Sequence, residues 1–201
     1  MKKIVSKPGI VVIVCLLLQQ LNYGQDSTKM KNWFLAYETL EMSMNGFKNF
    51  AGTVGYRIDS ENQVRIVGMD VIRSEKHLSS SWQSMGVHGG HVKGRFRTIE
   101  INYDRFFGKR KNWYYGLHAG YKNDQFNYLL GPQKINNHTV LAGPQFGFQK
   151  MNLFHLKHLY INFSMPFHYY FNHIPAQQWG DTKIKEFKFI NNIWFFVGYT
   201  F

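Results

Sequence analysis

Cysteine is almost missing from this chain. The one copy, Cys15, lies among the first 24 residues, so the remainder has no thiol from which to build a disulfide framework. Acidic side chains are scarce as well, with 12 Asp and Glu against 24 Lys and Arg and a formal net charge of +12. Beyond the N-terminal segment, no apolar run approaches the roughly 20 residues that a membrane-spanning helix needs. With a mean hydropathy of -0.34, that excludes a helical membrane protein. No internal repeat, low-complexity tract or Pro- or Ser-rich linker interrupts the sequence, so residues 25–201 read as one domain.

What is present begins with an export signature. Met1-Lys2-Lys3 and Lys7 form a positive n-region, Gly9 to Leu18 is an uncharged apolar run, and Gly24 precedes Gln25 as a cleavage point. That run, about ten residues, is too short for an anchor. Cys15 lacks the small residue usual before a lipoprotein cysteine. Residues 1–24 are therefore expected to be a signal peptide, whose loss removes Lys2, Lys3 and Lys7 and takes the net charge from +12 to +9. A polar leader over 25–31 and a folded domain over 32–201 follow.

Aromatic residues make up 17% of the chain, and they fall with a period of two. In the last stretch Phe187, Phe189, Ile193, Phe195, Val197, Tyr199 and Phe201 share one face. Lys188, Asn192, Trp194, Gly198 and Thr200 share the other, with Ile190 and Phe196 as apolar exceptions. This is the period of a strand with one apolar and one polar side. Ending on Phe201, with Tyr199 two residues before it and Gly198 and Phe195 upstream, the stretch resembles the last strand of Gram-negative outer-membrane β-barrel proteins. The resemblance is to an architectural class, the small eight-stranded barrels. It implies a location in the cell outer membrane and insertion by the barrel-assembly machinery, with Gly198, Tyr199 and Phe201 as the assembly signal.

The same alternation recurs upstream. In a first strand over 32–42, Trp33, Leu35 and Tyr37 are taken as outward, which places Glu38 inside. Phe50, Val54, Tyr56 and Ile58 then oppose Asn49, Thr53, Gly55 and Arg57. In the third strand, over 64–73, Val67, Met69 and Val71 are read as outward against Gly68 and Asp70. Ile99, Ile101, Tyr103 and Phe107 oppose Thr98, Glu100, Asn102 and Asp104; Trp113, Tyr115, Leu117 and Tyr121 oppose Tyr114, His118, Gly120 and Lys122. Val140, Phe146 and Phe148 oppose Gly143, Gln145 and Gln149, and Leu159 to Phe171 alternate with His158 to Tyr170.

Connections near 60, 110 and 153 are short, whereas 74–94, 124–137 and 173–185 read as long polar loops, with a short turn at 43–46. The expected fold is all-β: a closed antiparallel up-and-down transmembrane β-barrel of about eight strands with both termini on the periplasmic side. A soluble barrel would carry Lys, Glu and Thr on its polar face. Here that face carries Gly, Asn, Gln, His and Ser, and glycines at 55, 68, 116, 120, 143, 147 and 198 leave room in a narrow lumen. Pro144 and Pro166, inside strands without a free edge, predict a bulge or a missing ladder bond.

Parity places Glu38, Arg57, Asp70, Glu100, Asp104, Lys122 and Lys188 in the lumen, with His118, His158 and His168. Opposite charges in so narrow a barrel read as a plug rather than an ion path. Glu100 is expected diagonal to Lys122, and His118 opposite Asn102. Ser164 and His168 share a face but stand four positions apart, about 13 Å along a strand, too far for a nucleophile and its base. His77 with Ser79, Ser80 and Ser81 in the first long loop leaves a lipid A-modifying enzyme (acyl transfer or deacylation) as the alternative function, with no motif behind it. His88 and His91 on flexible glycines do not make a metal site. No catalytic residue, metal or cofactor is expected.

Arg73, Lys93, Arg95 and Arg97 gather at the outer rim, with Lys76, Lys183 and Lys185 in the loops. The partner at that height is the phosphate layer of lipopolysaccharide among the outer-membrane lipids. Nucleic acid is set aside, since no stacking platform accompanies the charges. The function expected is non-enzymatic, structural or adhesive, carried by the extracellular loops toward a ligand the sequence does not name.

Overall fold

A computed structural model describes residues 32–40, 43, 49–73, 78, 85–153 and 156–201. The expected signal peptide and polar leader, most of the 43–46 turn, and Lys76, His77 and Ser79 to Ser81 lie outside the described residues.

The strands are β1 (Trp33–Glu38), β2 (Phe50–Arg57), β3 (Asn62–Arg73), β4 (Met85–His88), β5 (Val92–Phe107) and β6 (Trp113–Tyr128). After them come β7 (Lys134–Met151), β8 (Leu159–Tyr170), β9 (Gln177–Trp179), β10 (Thr182–Glu186), β11 (Phe189–Asn191) and β12 (Trp194–Thr200). Sequential neighbours pair antiparallel from β1 through β2, β3, β5, β6 and β7 to β8. β11 and β12 lie on β8 in one register, Phe189 opposite Tyr169 and Trp194 opposite Ser164, and form a single stave interrupted at Asn192 and Ile193. β12 returns to β1, so eight staves close an up-and-down barrel. Closure gives each wall strand two ladder partners, which a chain in hydrocarbon requires.

Tight turns join the staves at the lower end. Asp59 accepts from the backbone N–H groups of Glu61 and Asn62 and from the Asn62 amide, and that amide contributes most to holding its carboxyl below the usual carboxylate range. Lys111 of the next turn lies 2.6 Å from Glu61 and lowers that carboxyl in the same way.

Period-two burial sorts the wall into two faces. β5 alternates along its whole length, and Ile99, Ile101 and Leu117 stand 57, 61 and 66% exposed on the outside. Aromatic rings bracket this aliphatic band. Below lie Trp33 on Tyr56 and Trp113 between Phe146 and Phe148; above lie Tyr37 on Phe50 and Tyr169 between Phe171 and Phe189. From Trp113 to Tyr121 is about 27 Å of strand, or roughly 21 Å of height at a barrel tilt near 40°, close to the ~25 Å apolar band of outer-membrane barrels.

Three features depart from the sequence reading. In β3 the faces are reversed: Gln63, Arg65, Val67 and Val71 are buried, while Ile66, Gly68, Asp70 and Ile72 face out. Val64, Ile66 and Ile72 on one side balance Val67, Met69 and Val71 on the other, so apolar count alone cannot orient this strand. Register decides it, because Ile66 pairs with outward Ile101 and Val67 with inward Glu100.

The second departure is at the upper end. Residues 124–137 are not a long loop: β6 and β7 stay in register through Asp124 opposite Asn137 and Phe126 opposite Ile135. β4, β10 and β9 form a separate three-stranded sheet out of the other two loops. Leu78, Val87, Ile174, Trp179 and Ile184 from those loops pack on Val92, Phe96 and Phe126 of the wall, making a capped core. Above the hydrocarbon the outer face meets water, so strands there lose the apolar stripe that marks them lower down.

The third is smaller. The β7–β8 ladder pairs Ala142 with Tyr169 and resumes at Gln145 with Pro166 in unchanged register. Pro144, without an N–H, leaves a missing bond and not a bulge. Glycines do make room for lumen aromatics, as where a Cβ on Gly147 would lie 2.2 Å from the ring of its cross-strand partner Tyr114. Gly68 plays no such part; it faces outward with nothing within 4 Å.

Candidate functional site

The lumen is stacked in layers. At the bottom the Arg57 guanidinium lies 4.4 Å over the Phe106 ring. Next comes a layer built on Arg65, which is 1% exposed. Its Nε donates to Asp104 at 2.9 Å, and its Nη2 to Gln145 at 2.9 Å and Ser164 at 3.0 Å. Gln63 and Gln145 also donate to Asp104, Tyr114 donates to Asn162, and Asn162 to Gln149. Five staves (β3, β5, β6, β7 and β8) are tied across the barrel here. The network offsets part of the cost of burying an ion pair by engaging both Asp104 oxygens and two of the three Arg65 nitrogens, while Arg65 Nη1 and Gln63 Oε1 stay without a partner among the described residues.

Above it stand Glu100, His118 and His168. His168 Nε2 lies 3.2 Å from Glu100, and the two imidazole rings are 4.7 Å apart. Higher still, Lys122 reaches Asp124 at 2.7 Å and Glu186 at 3.0 Å, with Tyr170 beneath its ammonium at 4.2 Å. Glu186 also accepts the backbone N–H of Ile174. Lys122 thereby fastens the β10 segment of the cap into the barrel mouth. A cavity of about 80 Å³ lies between these layers, with Glu38, Arg73, Glu100, Lys122, His168 and Asn192 among its lining residues.

Glu38, Arg57, Glu100, Asp104 and Lys122 occupy the lumen as the alternation predicts, and Glu38 accepts backbone N–H groups from Leu40 and Phe195. Asp70 does not: the reversed face of β3 puts it outside. Lys188 is exposed, ahead of the last stave. His158 has left the strand with φ 78 and lies 5.5 Å from the Tyr199 ring at the lower rim, so it too is outside the lumen. Glu100 and Lys122 are not partners. Asp124 stands two residues above Lys122 on the same face and Glu186 descends from the cap, while Glu100 is taken by His168. Asn102 does face His118. Arg65 escaped the sequence reading because its strand was turned the wrong way; counting cross-strand pairs with β5 would have found it.

At the outer rim Arg95 grips Asp70 with two bonds, 2.8 and 2.6 Å, and Arg97 comes within 3.8 Å of the same carboxylate. Lys93 is exposed beside them. Ile99 is opposite Tyr121, the outermost aromatic residue of β6 in the apolar band, so these cations begin one step above it. Arg73 leaves the group. It shares the inward parity of Val71 and lies 5.0 Å over the Phe96 ring. Gly198 and Tyr199 lie in the ladder that closes the barrel on β1, and Phe201 donates its N–H to Trp33. Ser164 accepts from Arg65 and lies 3.4 Å from Gln145, so its hydroxyl is engaged away from His168.

No family model and no curated protein matches the chain. Among solved structures, it is similar to the N-terminal β-barrel domain of Pseudomonas aeruginosa OprF, at 10% identity and a TM-score of 0.39, covering 84% of this chain and 96% of that one. It is also similar to Ail, the attachment invasion locus protein of Yersinia pestis, at 13% identity and a TM-score of 0.38, covering 85% and 99%. The fold of this chain, read from its own ladders, is a closed eight-stranded antiparallel barrel with an apolar belt.

Proposed function

We propose that the chain is a small, non-enzymatic outer-membrane barrel that presents an ordered cap to the exterior and holds lipopolysaccharide phosphates at its outer rim. The observation that carries this reading is the pairing of an aromatic-bracketed apolar exterior with a lumen closed by Arg65 and its partners. Such a molecule has a membrane to sit in and no bore to conduct through, so its working surfaces are the cap and the rim. A structural or adhesive role exercised through the cap follows from that division. Exposed Lys183 and Lys185 on β10 extend the positive charge onto the cap surface.

At the rim Lys93, Arg95 and Arg97 stand at headgroup height, where arginine on an outer wall costs about 0–1 kcal/mol rather than the ~2–4 of the midplane. Guanidinium forks match phosphate oxygens in pairs. Asp70 already engages Arg95, which leaves Arg97 and Lys93 as the freer cations. Lipopolysaccharide co-purifying with the barrel tests the reading. Replacing Lys93, Arg95 and Arg97 together by Gln should reduce it several-fold with the barrel still folded, and Asp70→Asn, which releases the Arg95 fork, should raise it. Retention that ignores both changes would remove the rim site.

A further inference from the structure

We infer that Glu100, His118 and His168 form a binding site for one divalent first-row transition-metal ion of the zinc class, inside the barrel beneath the cap. One ligand atom from each lies within 4.8 Å of the others, and all three side chains are buried. A carboxylate and two imidazoles suit such an ion, at about 2.0–2.2 Å per bond, with a fourth position left for water. That spacing asks the ligand atoms to sit roughly 3.4 Å apart. Glu100 and His168 are already at 3.2 Å, and only His118 must swing inward.

His118 is the second observation. It is 3% exposed, yet neither ring nitrogen has a hydrogen-bond partner, and both amide atoms of Asn102 across the ladder are equally unsatisfied. Buried polar groups in native proteins are almost always satisfied, and exceptions mark a missing water or ion. The ring stands between Gly116 and Gly120 along β6 and opposite Gly143, where a Cβ would lie 1.7 Å from the Phe167 carbonyl oxygen. The glycines let the imidazole lie close against the wall, with Cε1 3.4 Å from where a Cβ on Gly143 would stand. Asn192 lies 3.2 Å from His168 Nδ1, and with its amide oxygen turned to accept from Nδ1–H it leaves the Nε2 lone pair for the metal.

Glu100 and His168 line the cavity, so a metal-bound water has space.

The test is a cobalt(II) titration of the untagged barrel in detergent near neutral pH, read by visible absorption, with zinc added afterwards. One equivalent of cobalt should give d–d bands that zinc abolishes. His118→Gln and His168→Gln, each checked for folding by heat-dependent gel migration, should weaken binding by about 100-fold, while His138→Gln on the outer face should change nothing. If either lumen variant fails to fold, Glu100→Gln takes its place. Absence of bands in the folded wild type, or bands that persist in a folded lumen variant, would overturn the site.

Discussion

Arg65 carries one guanidinium into a layer where five staves meet, and its replacement is the sharpest question at the scale of a single residue. Arg65→Leu leaves the Asp104 carboxylate buried without its cation, a loss of about 3–5 kcal/mol when one partner of a buried pair is removed. Adding Asp104→Asn removes the orphaned charge and should recover part of that loss. Urea unfolding of the single and double variants in lipid vesicles checks the order. A double variant no more stable than the single would mean that Asp104 is hydrated and the layer is not a seal. Arg65 itself was not legible in the sequence, because β3 is equally aliphatic on both faces and only its register with β5 orients it. Glu100, Asp104 and Lys122 were legible, since their strands carry one apolar and one polar face. Their partners were not. Glu186 comes from a loop, and no local spacing announces that a loop side chain will reach back into the barrel.

Individual strands split into a part that the sequence displays and a part that it hides. Where β5 to β8 cross the apolar band, period two is nearly unbroken and their faces can be read directly. Higher up, Asn123, Asp124, Gln125 and Asn127 resemble turn residues, yet they continue β6 because the ladder with β7 continues. The upper end of one strand and its middle should therefore respond differently to the same substitution. Leu117→Arg, in the aliphatic band, is expected to cost about 2–4 kcal/mol, and Gln125→Arg, on the same outer face above the aromatic ring, about 0–1. Unfolding in lipid vesicles measures both, and equal costs would show that the band does not lie in hydrocarbon. The cap packs on the wall through one small cluster at the barrel's upper end, away from the Arg65 layer, so it should open alone. Ile184→Asp places a charge in that core. It should make residues 172–188 a protease target while the wall strands stay protected and heat-dependent gel migration persists. Loss of the whole barrel on this substitution would show that cap and barrel fold as one unit.

At the scale of the whole molecule, two boundaries define what the protein can do. Outside, an aliphatic belt between two aromatic rings fixes its medium. Inside, among the described residues, the Arg65 layer ties five staves across the lower lumen, and Lys122 ties the packed cap into the upper. The belt was readable from alternation, and so was the placement of charges of both signs in the narrow interior. The upper closure was not, because β4, β9 and β10 find their core only after separate loops meet. Conductance across a planar bilayer tests the sealed barrel most directly. The purified protein should insert without producing stable porin-sized steps at either polarity, and Arg65→Ala should be the variant that first admits current. Reproducible porin-sized steps from the unaltered protein would contradict a closed lumen.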